Sequence, residues 1–343
     1  MMTTWSERPL HLAKRHWGRL GAGMILGGLA LAYAIHAVDG PALGRSLLNA
    51  SPAWIGLAVA GALAVAGLKT GRWYQLYRLT GNEVAFGPLF STLMAAQMLN
   101  LVIPIRVGEL VRLGLMKRRG QPAGITLPTL IIEKALDLLT NGLLLWLLAM
   151  LSGVSISSRL ASPAWGLLVV SFVILLGSVG LWQQRARIEA LAAGLAHRSR
   201  RPNTAERGLA FLQRLLSGLG LLTGRQALAK VLGWTLVIWL ASLLTIVALL
   251  SAFELHVPLT AAVLIMVGIS FSNIFPSPPA LVGLIPGLAV AALSLYSVPP
   301  APALAFGLAL NVVVVAPVIV LGSWAVWREL ETVLGLIMER RSG

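Results

Sequence analysis

The chain has 343 residues, 57% of them hydrophobic and only 11% charged, where an average soluble domain carries roughly 25% charged residues. That balance places it among membrane proteins. The formal charge of +15 does not mark a nucleic-acid partner, because the basic residues are grouped between apolar runs instead of along one polar face. The absence of cysteine excludes disulfides, thiolate metal sites and cysteine nucleophiles, and the five histidines show no ligand-like pairing. No metal and no other cofactor is expected.

A helix needs roughly 20 apolar residues to cross a hydrocarbon core about 30 Å thick. Residues 20–38 and 53–68 qualify first, followed by 128–150, 164–182, 231–253, 259–275, 280–296 and 304–327, with a weaker region at 87–115. The first run follows Arg8, Lys14, Arg15 and Arg19 and contains the small-x-small pattern Ala32-Tyr33-Ala34. It is too long for the apolar stretch of a secretory leader, and more spans follow, so it reads as an uncleaved first span. The expected fold is all-α, a polytopic transmembrane bundle of about eight spans in a single membrane domain.

Loop charge orients it. Segment 183–229 holds Arg185, Arg187, Arg198, Arg200, Arg201, Arg207, Arg214 and Arg225 against Glu189 and Glu206, and is expected in the cytoplasm. Its apolar positions, among them Leu209, Leu212, Leu215, Leu216 and Leu219, predict an amphipathic helix on the inner leaflet. It separates a first helical half, 20–182, from a second, 230–327. The N-terminal 1–19 and the tail 328–343 also face the cytoplasm, as do Lys69, Arg72 and Arg78. The loops at 39–52, 151–163 and 297–303 are poor in basic residues and face outside. Because Lys69 to Arg78 before it and Lys117, Arg118 and Arg119 after it are all basic, region 87–115 must return to the side it entered, as a re-entrant hairpin broken at Pro104. A second break falls at Pro276, Pro278, Pro279 and Pro286; paired interrupted segments are the sequence pointer to a transporter's site.

Charge within apolar runs marks candidate residues. Around the first break the chain reads Asn100-Leu-Val-Ile-Pro104-Ile-Arg106-Val-Gly108-Glu109-Leu-Val-Arg112, which on a helix sets Glu109 between Arg106 and Arg112. Glu133-Lys134-Ala-Leu-Asp137 follows, with both carboxylates on one face early in the 128–150 run. A charge near the centre of a span costs about 2.5–3.5 kcal/mol, so partners are expected, and Arg106, Arg112 and Arg72 are available. Two readings stand: the charges lock the hairpin against its neighbour at the interface, or the surplus of arginine forms a pocket for a phosphate head group, which guanidinium forks bind bidentately. The second break, including Pro276, Ser277, Pro279 and Gly283, carries no charge; its backbone either lines a cavity or shapes a tight turn.

These patches resemble the family that includes the transmembrane domain of lysylphosphatidylglycerol synthetase, integral membrane proteins often called flippase-like. Arg72-Trp73, Asn100 through Arg112, Glu133 through Asp137 and Pro276 through Gly283 are each similar to a family motif. Lys134 replaces the family's Arg, Ala280 its usual Gly, and Pro286 a common Glu or His that could couple protons. The resemblance implies movement of an anionic lipid or a lipid-linked sugar between leaflets of the cell membrane. It implies a head-group site made of Arg72, Asn100, Arg106, Glu109, Arg112, Glu133 and Asp137, with Pro104, Gly108, Pro276, Ser277, Pro279 and Gly283 shaping the cavity. The family's aminoacyl transfer resides in an additional soluble domain, which is not expected within these residues. Two alternatives are an accessory subunit serving a partner synthase or transferase, as a monomer or an oligomer, and an intramembrane transferase with Glu109, Glu133 or Asp137 as base. No catalytic triad, metal cluster or phosphate loop supports the enzyme, so no catalytic residue is assigned.

Overall fold

The computed structural model describes residues 39–103, 107–151, 154–197, 202–221, 223–272 and 283–329. Among them there are helices and no strands: α1 (Gly40–Leu48), α2 (Pro52–Leu79), α3 (Phe86–Val102), α4 (Gly108–Arg118), α5 (Ala123–Leu151), α6 (Val154–Gln183), α7 (Arg185–His197), α8 (Pro202–Leu219), α9 (Arg225–Ala252), α10 (Leu259–Ser272), α11 (Leu284–Ser294) and α12 (Pro300–Arg328). Five of these, α2, α5, α6, α9 and α12, are long and apolar enough to cross a bilayer; α3, α10 and α11 are apolar but shorter. Their outer faces leave large side chains uncovered, such as Trp165, Phe172 and Leu176 on α6, Leu236 and Leu244 on α9, and Val320, Trp324 and Trp327 on α12. Exposed apolar surface on this scale is what lipid covers, and the molecule is a multi-pass helical membrane protein. The first predicted span, 20–38, lies outside the described residues.

Several helices extend beyond the apolar runs that announced them. The run at 53–68 lies inside α2, which continues to Leu79 through Lys69, Arg72 and Arg78. Likewise α5 starts at Ala123, five residues before its apolar run, and the expected outer loop at 151–163 is helical from Val154. Hydropathy marks where lipid-compatible side chains stop, whereas a helix continues until its backbone hydrogen bonds find another arrangement. One such stop is visible after α4. Gly120, with φ of 79°, donates to the Lys117 carbonyl, and Gln121 donates to that of Met116, closing the helix in a Schellman turn that only a residue at ease in the left-handed region makes without strain.

The described residues fall into two compact units. One comprises residues up to Ala64, Met94–Gly108 and those from Ala241 onward; the other comprises Val65–Leu93 and Glu109–Leu240. In the first unit, α11 packs on α10 and α12, and α1 lies on α12. Small residues allow the close approaches: Gly307 of α12 faces Pro286 and Ala289 of α11, Gly322 faces Met94 and Met98, and Gly61 faces Thr245. In the second unit α5 packs on α6 and α8, with α7 against α8. Leu76, Ile132, Leu136, Leu221 and Val231 form an apolar cluster there. The basic segment expected on the inner leaflet is thus a pair of helices, and the apolar face of α8 rests on α5: Leu216 and Leu219 are buried, and Gly218 sits on the ring of Pro128.

The region 87–115 is a helical hairpin. In the first unit, Gly108 N–H donates to Asn100 Oδ1 at 2.7 Å and its α-carbon lies against the Ala96 carbonyl. In the second, Arg119 just past α4 reaches the start of α3, donating to the Pro88 carbonyl, Thr92 Oγ1 and Ser91 Oγ.

Candidate functional site

The second unit contains every buried charged residue among those described: Arg72, Arg112 and Glu133. Each arrives on a different helix. Arg72 comes from α2, Arg112 from α4 and Glu133 from α5.

Arg112 is held by Glu133 through a two-pronged pair, Nη1 to Oε1 at 3.2 Å and Nη2 to Oε2 at 2.7 Å. Its guanidinium carbon lies 3.9 Å from the centroid of the Trp73 ring, a cation–π contact in a desolvated setting. Trp73 is itself fixed, since Nε1–H donates to Thr129 Oγ1 at 3.0 Å and Tyr77 stands edge-on to it at 5.5 Å. The Tyr77 hydroxyl shares a 2.5 Å hydrogen bond with Thr126, so one face of α2 is fastened to the first turns of α5.

Arg72 serves the other carboxylate. Its Nη1 donates to Asp137 Oδ1 at 2.8 Å and to Thr235 Oγ1 of α9 at 3.4 Å, while Nη2 lies 3.8 Å from Glu133 Oε1. Gly71, its neighbour, has no side chain to hold off the Trp234 ring. Glu133 thereby bridges both arginines. The Nε–H groups of Arg72 and Arg112 are buried and have no acceptor among the described residues.

Glu109 occupies the first turn of α4, where a carboxylate favours the helix dipole. The sequence expectation set it between Arg106, which lies outside the described residues, and Arg112; among the described residues its ion-pair partner is Lys134, whose Nζ lies 3.0 Å from Oε1. On α5, Lys134 follows Glu133 and turns to a different face, which separates this half-open pair from the buried one. Side-chain exposure is 49% for Lys134, 32% for Glu109 and 32% for Asp137, against 1% for Arg72, so the cluster has a sealed interior and an open edge.

Asp137 is at the midpoint of the 29-residue α5, about 20 Å from either end, and early in the apolar run of that helix. Ionic groups within a helix long enough to cross a membrane are costly unless paired, and a functional site is the default reading of them.

Of the residues singled out from sequence, the structure therefore joins Arg72, Arg112, Glu133 and Asp137 directly, with Glu109 at the edge through Lys134. Asn100 and Gly108 bond to one another. Pro104, Arg106, Pro276, Ser277 and Pro279 lie outside the described residues. Gly283 is the residue before α11, at φ of 77°, a left-handed entry that a side chain would strain. Pro286 is in the first turn of α11, where a missing N–H is harmless, and packs against Gly307.

Sequence reasoning left out Trp73, Thr235, Lys134 and Lys69 as site residues. Lys69 was read as a loop charge, yet it lies within α2 one turn before Arg72, and the charges of Asp137, Arg72, Lys134 and Glu133 all act on it. The three-residue spacing was the available signal. Thr235 had none, because a threonine in an apolar run is unremarkable until its partner is known.

No curated protein and no solved structure matches the chain. A family model does, that of the lysylphosphatidylglycerol synthase TM region, over residues 20–322. With most of its length matched, including every residue of the ion cluster, the chain belongs to that family of integral membrane proteins.

Proposed function

We propose that this protein binds the head group of an anionic phospholipid or lipid-linked sugar at the Arg72–Arg112–Glu133–Asp137 cluster and moves that lipid between leaflets of the cell membrane. The observation that carries the reading is a set of paired charges at the midpoint of a membrane-crossing helix, sealed on one side and open at Asp137, Glu109 and Lys134 on the other. A purely structural lock would be better served by apolar packing, since replacing a buried ion pair with well-fitted hydrophobic side chains is often neutral or stabilising. Both guanidinium forks are engaged by carboxylates, so the arginines hold the site's shape and supply its field, and the head group meets the donors that remain. In this reading the excess of arginine in the α7–α8 segment puts it on the cytoplasmic side, where anionic lipid concentrates.

The test is lipid movement in liposomes. Vesicles holding a fluorescent phosphatidylglycerol in both leaflets are reconstituted with the protein, and a membrane-impermeant quencher is added. Wild type is expected to expose the inner-leaflet probe to quenching, and Asp137→Asn, which removes the open-edge carboxylate, to slow that exposure by about tenfold or more. Identical quenching of the inner leaflet with and without protein would overturn the reading.

A further inference from the structure

With the apolar face of α8 resting on α5, the basic segment keeps its uncovered apolar surface on α7. That helix packs on α8, and its half-buried positions are Ile188, Glu189, Ala192, Ala193 and Ala196. From Arg187 onward the exposed ones are Arg187, Ala190, Leu191, Gly194 and Leu195. Leu191 and Leu195, one turn apart, are each 71% exposed, as open as the lipid-facing Leu176 of α6 at 67%. The helix thus turns alanine inward and leucine outward, the reverse of a helix whose outer face meets water. Trp182 marks where α7 stands. It is the next-to-last residue of the membrane-crossing α6, and Arg185, the first residue of α7, places its guanidinium carbon 4.5 Å from the centre of the Trp182 ring and donates from Nη1 to the Trp182 carbonyl at 3.2 Å. An amphipathic ring paired with a snorkelling cation belongs at head-group level. The last turn of α12 carries the same pair, with Arg328 5.6 Å from the Trp324 ring.

We propose that α7 is a docking face for an anionic lipid surface, the leaflet at which α6 ends, with Leu191 and Leu195 entering the head-group region and the neighbouring arginines on its phosphates. Charge selects this occupant over a second copy of the chain. Between Gln183 and Asn203 the sequence sets Arg185, Arg187, Arg198, Arg200 and Arg201 against the single acid Glu189. Two such segments repel each other, whereas anionic head groups gather around one. Side-chain type selects it over a soluble protein. The exposed face offers alanine, glycine and leucine without an aromatic side chain, and protein interfaces are anchored by aromatic residues while leucine is under-represented among their strong contacts. A fluid acyl boundary needs no such anchor, only apolar side chains flanked by basic ones. The contact lies apart from the ion cluster and does not depend on lipid being moved there.

The chain has no cysteine, so a single introduced one can carry a nitroxide label without a background. Leu191→Cys and Leu195→Cys are labelled in the full chain, in nanodiscs of phosphatidylcholine alone or mixed with phosphatidylglycerol. Collisions of the label with oxygen, which concentrates in lipid, are compared with those of a neutral water-soluble nickel chelate. Leu176→Cys on α6 calibrates lipid, and Glu206→Cys, at an exposed position of α8, calibrates water. In mixed discs, nickel access at both α7 sites is expected to fall severalfold below that at Glu206→Cys, with oxygen access approaching that at Leu176→Cys. The protection should be weaker in phosphatidylcholine alone, and adding Arg187→Gln to the Leu191→Cys protein should weaken it in mixed discs. Both cysteine proteins should melt like wild type, because neither leucine is on the packed face. Nickel access equal to that at Glu206→Cys in both kinds of disc would put α7 in water and overturn the proposal. Protection of the same size with and without phosphatidylglycerol would remove the anionic surface as its cause. Labels shielded from oxygen and nickel alike would mean that protein, a second copy of the chain, covers the face. A lower melting temperature for both cysteine proteins would make the leucines part of the α7–α8 packing and end the proposal.

Discussion

The two units solve the same problem, holding apolar helices together in lipid, by different means. The first unit brings α11 and α12 close with small residues, so that Gly307 leaves room for the backbone of Pro286 and contact is made by packing. The second unit packs too, with Gly218 on Pro128 and an apolar cluster around Leu136, and adds charge, drawing α2, α4 and α5 around Arg72, Glu133 and Arg112. In lipid there is no hydrophobic force between helices, so packing and polar bonds are the two available forces. Packing tolerates any site that keeps its volume, whereas a charge cluster fails as a unit.

The largest effect should come from the shared carboxylate. Glu133→Gln takes the charged bidentate partner from Arg112, leaving a buried guanidinium without its carboxylate, and removes the 3.8 Å ion pair to Arg72, which keeps Asp137. Breaking a buried pair from one side costs about 3–5 kcal/mol. Thermal unfolding in detergent should show the variant strongly destabilised or recovered in low yield. A Glu133→Gln protein that melts like wild type would mean that the charge cluster does not hold its unit together.

A smaller effect is expected where packing is the glue. In Gly307→Ala the new methyl would lie 2.7 Å from the α-carbon of Pro286 and 2.9 Å from the Ala289 side chain, so backbone must shift. Such overpacking costs about 1–3 kcal/mol. Gly287→Ala, one turn of α11 in open space, is the control; it should be neutral or gain up to about 1 kcal/mol from helix propensity. Equal melting temperatures for the two alanine variants would remove the distinction between the units.

How much of this was legible beforehand follows the same division. The membrane class, the long spans and the return of the chain after Asn100 could be read from apolar runs and loop charge, because those depend on composition over many residues. The charges that matter could be read because they interrupt such runs. Their pairing could not. Glu109 is nearer in sequence to Arg112 than to Lys134, yet Arg112 turns toward Glu133 on α5 and Trp73 on α2, and only the three-dimensional crossing of those helices decides it. Lys69 was misplaced for a related reason: the apolar run ends at Leu68 while the helix continues, so a charge inside the helix was assigned to a loop.

The smallest effect tests whether the cluster's edge differs from its interior. Lys134→Gln removes one ion pair, at 3.0 Å, from side chains that are 49% and 32% exposed. Glu109 keeps the N-terminal turn of α4 as a favourable neighbour, so it is not stranded as an arginine in the interior would be. The loss should stay below about 1 kcal/mol, the value of an exposed pair. Salt decides what the edge faces. If water reaches it, the gap between wild type and variant should shrink as ionic strength rises, because exposed pairs are screened over about 10 Å at 0.1 M salt. A gap of several kcal/mol that salt leaves untouched would place Lys134 and Glu109 in the low-dielectric interior and extend the sealed part of the cluster to its outer rim.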